Sequence, residues 1–146
     1  MPSLNNKGMT LIEAIASIVI ISFVVVSIFT IVVNIRTQTF AANEKINAIE
    51  IGTLVRDQLE NNIGYADLDT LLAGDITVNS DDYSAIPSFP GEIFSQTLDG
   101  TDYTTLITIT FFAMTSDHTR FGIIDYKITI NYFSNREIEL EGIIYE

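Results

Sequence analysis

The sequence predicts an α+β fold: a long N-terminal helix, membrane-spanning in its first half, with a small antiparallel β-sheet packed on its C-terminal half. Three observations predict it. Between Glu13 and Arg36 stand 22 residues without a charge. From Ile35 to Ile63 there is no proline and only one glycine, Gly52. Near the C-terminus, three runs alternate apolar and polar residues with the period of a strand.

The elements follow in chain order. Residues 1–8, "MPSLNNKG", are short and polar, and carry no pattern that packs. Residues 9–34 are the membrane-spanning half of the helix. Ala14–Val33 is almost wholly Ile, Val, Ala and Phe, relieved by Ser17, Ser22, Ser27 and Thr30. About 20 apolar residues cross the hydrocarbon core as a helix. A lone span must satisfy its own backbone there, which forces a helix despite the β-branched side chains. The hydroxyls can bond carbonyls one turn back.

Residues 35–63 continue the helix as an amphipathic half. Ala48, Ile51, Val55, Leu59 and Ile63 recur at spacings of three and four, which makes an apolar stripe. Charged and amide residues such as Glu44, Lys45, Asn47, Glu50, Asp57 and Glu60 fall mostly off it. Gly64 is the expected C-cap. Unbroken from Thr10 to Asn62, such a helix would measure about 80 Å.

Residues 64–146 form the globular region. Asp67–Gly100 reads as irregular, with a short strand at Ile76–Val78. In "LITITFFAM", Ile107, Ile109 and Phe111 alternate with Thr108 and Thr110. In "IDYKITINYF", Ile124, Tyr126, Ile128, Ile130 and Tyr132 share one face. In "EIELEGIIYE", Ile138 and Leu140 alternate with Glu137, Glu139 and Glu141. The linkers "TSDHTR" and "SNR" are short, which favours an antiparallel meander with one dry face. The Ile51–Leu59 stripe is the surface of suitable length to cover that face.

Composition narrows the function. Apolar residues make up 47% of the 146, and the mean hydropathy is +0.32, so apolar surface should lie outside an ordinary core. Cysteine is absent, which excludes disulfides and thiolate metal sites. Acidic residues number 19 against 7 basic, for a net charge of −12, and the basic residues are scattered. Such a surface repels phosphates, so no direct nucleic-acid binding is expected.

No catalytic set stands out, and no enzymatic activity is expected. His118, the one histidine, reads as an exposed turn residue. Asp99–Tyr103, "DGTDY", with Asp81 and Asp82, lacks a complete calcium spacing, and turn chemistry accounts for it. No cofactor and no metal site are expected. Phe112 and Phe133 fall on the face opposite the dry one and are candidates for contact with a neighbouring subunit. The row Glu137, Glu139, Glu141 reads as solvated and as a guard against edge pairing.

Glu13 is the anomaly. A carboxylate within a span costs about 2.5–3.5 kcal/mol on insertion scales, so it marks a functional charge with a partner. Lys7 is near, but reaches the headgroups more cheaply than it pairs in the membrane. Cleavage after Gly8 would give Met9 a new α-amino group, close to +1 at neutral pH. Glu13 lies one turn further on. Within one chain the two can pair at the first turn; between two staggered chains, the amine of one can meet Glu13 of the other. At about 4 Å and an effective dielectric near 20, the attraction is about 4 kcal/mol before desolvation. The pair would set register rather than act as glue. Glu13 and Ser17 share a helix face, with Thr10 and Ala14 beside it.

These residues resemble the signal of type IV pilins and pseudopilins. "KGMTLIEA" is similar to that family's leader end, cleavage point and glutamate at the fifth mature position. The resemblance covers Lys7–Ala16, and the apolar helix extends it to Val33. It implies that Gly8 ends the leader, that Met9 is the cleaved and N-methylated terminus, and that Glu13, with Thr10 and Ser17, serves assembly. It implies as partners a prepilin peptidase, other pilin-like subunits and the membrane filament-assembly machinery, with the lipid bilayer surrounding the span before assembly. It implies a single-pass protein of the cytoplasmic membrane, leader inside and C-terminal region outside, later part of a surface or envelope filament. Met9 stands where Phe is commoner, no proline interrupts the apolar helix, and the disulfide of many major pilins is absent. These departures point to a minor pilin or pseudopilin, or to a subunit from a lineage without that disulfide. A pilus, a competence filament and a type II secretion pseudopilus all fit. The alternative is a signal-anchored exported ligand-binding domain that never polymerises.

Overall fold

A computed structural model of the chain describes residues 10–84, 86, 87 and 89–146. Two compact units divide at Phe40 and Ala41. Helix α1, Leu11–Asn62, contributes to both.

In the first unit, residues 11–40 of α1 bury almost nothing. Leu11 is 80% exposed, and the large apolar side chains from Ile12 to Phe40 are likewise open. The hydroxyls in this stretch are turned back onto the helix. Ser17, Ser22, Ser27 and Thr30 each donate to the carbonyl four residues earlier, at 2.8, 2.8, 2.8 and 2.9 Å. Thr37 and Thr39 do the same. The helix therefore offers its surroundings an apolar surface whose Ser and Thr hydroxyls are already satisfied. It is long and apolar enough to cross a membrane.

The second unit is built on residues 41–62 of α1. Ala48, Ile51, Val55 and Leu59 are buried, as the stripe requires, together with Ala41 and Gly52. Four antiparallel strands cover them: β1 Ile76–Asn79, β4 Ile107–Phe111, β5 Ile123–Tyr132 and β6 Arg136–Tyr145. They are hydrogen-bonded side by side in that order. Register aligns the apolar rows across the sheet. Val78 pairs with Ile109, Ile109 with Ile128, and Ile128 with Leu140. Ile107, Ile109, Phe111, Ile124, Tyr126, Ile128 and Ile130 are buried on the helix side, with Tyr132, Ile138 and Leu140 partly buried. The core is completed by Ile63, Leu68, Leu72, Ile86, Phe89, Ile93 and Phe94. The meander and its dry face thus follow the expected pattern.

Gly52 explains how close the layers come. A Cβ there would lie 2.6 Å from Leu140 Cδ1 and 3.2 Å from Ile130 Cδ1. The missing side chain lets the helix settle onto β5 and β6.

Several local features differ from expectation. "TSDHTR" is not a plain turn but a short helix, α3, Ser116–Phe121. Thr115 caps its start, and Gly122 ends it in the left-handed region at φ 59. Gly64 is not a C-cap: at φ −94 it starts the one-turn helix α2, Tyr65–Leu68, where Asp67 accepts from the Gly64 N–H. The 67–100 stretch is less irregular than expected. It holds a 3-10 turn at Gly91–Phe94 and one strand of a small hairpin, β2 Thr97–Leu98 with β3 Thr101–Asp102. Asp99 at φ 49 and Gly100 at φ 79 make its turn.

Candidate functional site

The N-terminus of α1 is built from three residues. Thr10 Oγ1 accepts from the Glu13 N–H at 3.4 Å, and the Glu13 carboxylate accepts from the Thr10 N–H at 2.8 Å. The Thr10 hydroxyl also donates to Glu13 Oε2 at 2.8 Å. This is a capping box: it satisfies helix-end donors that otherwise have no intrahelical partner. Ser17 sits one turn on and donates to the Glu13 carbonyl. Thr10, Glu13 and Ser17 are brought together, as their spacing predicts. Gly8 and Met9 lie outside the described residues.

Glu13 thus has a partner that a search for a nearby cation passes over. "TLIE" has the Thr-x-x-Glu form of a capping box, and that signal is present in the sequence. Thr10 supplies two donors to the carboxylate. Its position near a helix N-terminus also suits a negative charge, since the free N–H groups carry partial positive charge. Beyond this polar knot the helix surface is apolar. The arrangement holds one carboxylate by its own helix cap at the head of an exposed apolar flank.

The remaining candidates fall elsewhere. His118 is not an exposed turn residue. Its side chain is 17% exposed and lies in α3, with Nε2 3.2 Å from Asp125 Oδ2. Its Nδ1 accepts from the Thr115 N–H at 3.3 Å, so the ring ties α3 to β5. The aspartates near Asp99 serve turns. Asp102 accepts from the Thr104 hydroxyl and N–H, which holds its carboxyl below the usual range. Asp99 accepts from Asn47 at 3.2 Å. Asn79 Oδ1 caps the backbone of Asp81 and Asp82. Among the described residues, no three His, Cys, Asp or Glu side chains converge on a point that suits a metal. Phe112 and Phe133 are each half-buried. Glu137, Glu139 and Glu141 are exposed, and Glu139 accepts from Lys127 Nζ at 2.7 Å.

One contact binds the helix to the sheet through polar atoms. Tyr126 is buried on β5, and its hydroxyl donates to Glu60 Oε1 of α1 at 2.7 Å. Burial, then the Glu60 carboxylate, pushes the phenol well above its ordinary range. Gly142, opposite on β6, makes room for the ring: a Cβ there would collide with the Tyr126 side chain.

No protein-family model matches the chain, and no curated protein or solved structure does so either.

Proposed function

We propose that this chain is a structural subunit, in a minor role, of a type IV-like filament. It is inserted in the membrane through residues 9–34, cleaved after Gly8 by a prepilin peptidase, N-methylated at Met9, and assembled through its N-terminal helix. The observation that carries the proposal is Glu13. A carboxylate stands four residues after Met9 of the "KGM" pattern, at the head of an exposed apolar stretch that carries no other charge before Arg36. That helix continues into the core of a small α+β unit. Lipid surrounds the apolar half before assembly, and the spans of other subunits replace it afterwards. The sequence signal supports a shared mechanism for pilus, competence filament and secretion pseudopilus alike.

The alternative, an anchored domain that never polymerises, draws support from the Thr10–Glu13 bonds, because a capped carboxylate is easier to tolerate near a membrane surface. Intact mass of the membrane form separates the two. In cells that contain the peptidase, a filament subunit loses residues 1–8 and gains one methyl group. An anchor keeps Met1.

A further inference from the structure

Strand β6 leaves a long main-chain edge open. It is the last strand of the sheet, in the order β1, β4, β5, β6. The Glu146 N–H donates to the Gly122 carbonyl at 2.9 Å, and pairing with β5 runs without a skipped residue from Tyr145 back to Arg136. Main-chain groups alternate sides along an antiparallel strand. The even-numbered residues of β6 therefore bond β5, and Glu137, Glu139, Glu141, Ile143 and Tyr145 turn their N–H and C=O groups outward. Among the described residues, none of these outward groups bonds the main chain of another element.

The two edges of the sheet are guarded differently. β1 has four residues, whereas β6 has ten, with no proline and no bulge. Edge strands are ordinarily shortened, kinked, covered or charged. Charge is the guard on β6, and it has one sign. The outward-bonding residues also share the face away from α1, because Ile138 and Leu140 take the helix side with Ile128 and Ile130. On that outer face stand Glu137, Glu139 and Glu141, then the exposed Ile143 and Tyr145. Of the two cations in β5 and β6, Lys127 meets Glu139 at 2.7 Å, and Arg136 falls on the opposite face by alternation. One lysine against three glutamates leaves negative charge uncompensated. A copy of the same strand brings like charges and is repelled, whereas a strand of opposite charge is attracted. A hollow of about 550 Å³ lies between β6 and the end of α1, bounded by Glu60, Ile63, Gly64 and residues 141–145. It gives room for the side chains that an added strand turns toward the helix.

From the open ten-residue edge and the single sign of charge along it, we propose that β6 takes up an extended basic segment of another protein as a fifth, antiparallel strand of the sheet. The main chain supplies the attachment, and the glutamates select the occupant. Along the partner, two apolar residues at alternate positions lie beside Tyr145 and Ile143. Lys or Arg at the next three alternate positions lie beside Glu141, Glu139 and Glu137. This surface belongs to the globular unit and depends neither on cleavage after Gly8 nor on polymerisation.

The test is an NMR titration of the isotope-labelled full chain, in a nonionic detergent, with the acetylated and amidated peptide "VTVTKTKTK". Peptide added to empty micelles sets the background. Saturable shifts should appear along β6, and the outward amides of Glu139, Glu141 and Ile143 should become protected from hydrogen exchange. The acidic peptide "VTVTETETE" should bind at least about tenfold more weakly, because each cross-strand charge pair turns repulsive. The basic peptide N-methylated at its valines and lysines should lose the amide protection, since those N–H groups face β6. Glu137→Gln with Glu141→Gln, both exposed, should weaken binding several-fold in a folded chain. Absent or non-saturable shifts, equal affinity for the acidic peptide, or binding that leaves the outward amides unprotected would overturn the proposal. Protection of those amides that rises with protein concentration and without peptide would assign the edge to a second copy instead, and would overturn it too.

Discussion

Tyr126 and Gly142 show how single side chains hold this protein together. The Tyr126 hydroxyl reaches across to Glu60, and the ring occupies the space that Gly142 leaves open. Tyr126→Phe keeps the packing and removes only the bond to an ionised acceptor. It should cost about 1–3 kcal/mol, read by denaturant unfolding of the detergent-solubilised chain. Gly142→Val adds atoms where the ring already lies. It should destabilise by about 1–3 kcal/mol through overpacking, and combining it with Tyr126→Ala should recover part of that loss. The same close view adds Thr10 as a local partner of Glu13. Its apolar neighbours dominate the stretch, so the sequence presents a charge in need of a cation. Thr10 is easily passed over there, because it acts through bonds that span only three residues.

Elements with a sustained period were legible, and those without one were not. The stripe Ala48, Ile51, Val55, Leu59 and the alternation in β4, β5 and β6 each extend over enough residues for burial to impose a pattern. α3 has six residues, too few for periodicity, although Thr115 and Gly122 bracket it with cap chemistry. The β2–β3 hairpin is announced only by Asp99-Gly100, a strong turn pair between strands of two residues each. Gly64 is ambiguous because a glycine after a helix fits either its end or the next start. Gly52 is visible but unexplained in the sequence: its role depends on Leu140 and Ile130, which sequence distance hides. Gly52→Leu should separate helix from sheet. Helix propensity favours Leu over Gly by up to about 1 kcal/mol, yet overpacking costs about 1–3 kcal/mol. We expect a net loss of stability and faster amide exchange in β5 and β6, measured by hydrogen exchange.

The whole molecule joins two surfaces of opposite character. Residues 11–40 expose apolar side chains, while residues 41–146 close a core beneath an acidic shell. Stability of the second unit should fall on the alkaline side. The Tyr126 and Tyr103 phenols are both raised in the folded state, so the folded chain holds protons that the unfolded chain releases. Their contribution is complete below about pH 10, the unfolded value, and declines as pH rises through the folded ones. Tyr126→Phe should flatten that alkaline decline in a pH series of melting temperatures. On the proposed reading, the exposed apolar helix has two uses in succession: membrane residence first, then subunit packing.

Incorporation of a Glu13→Leu chain into filaments tests the central claim most directly. Cells that contain the complete assembly machinery would express either form, and sheared surface filaments and membranes would be quantified separately. We predict that the substituted chain inserts in the membrane at least as well, is still cleaved after Gly8, and is strongly depleted from the filament fraction. Filaments that hold the two forms in equal proportion would contradict the account.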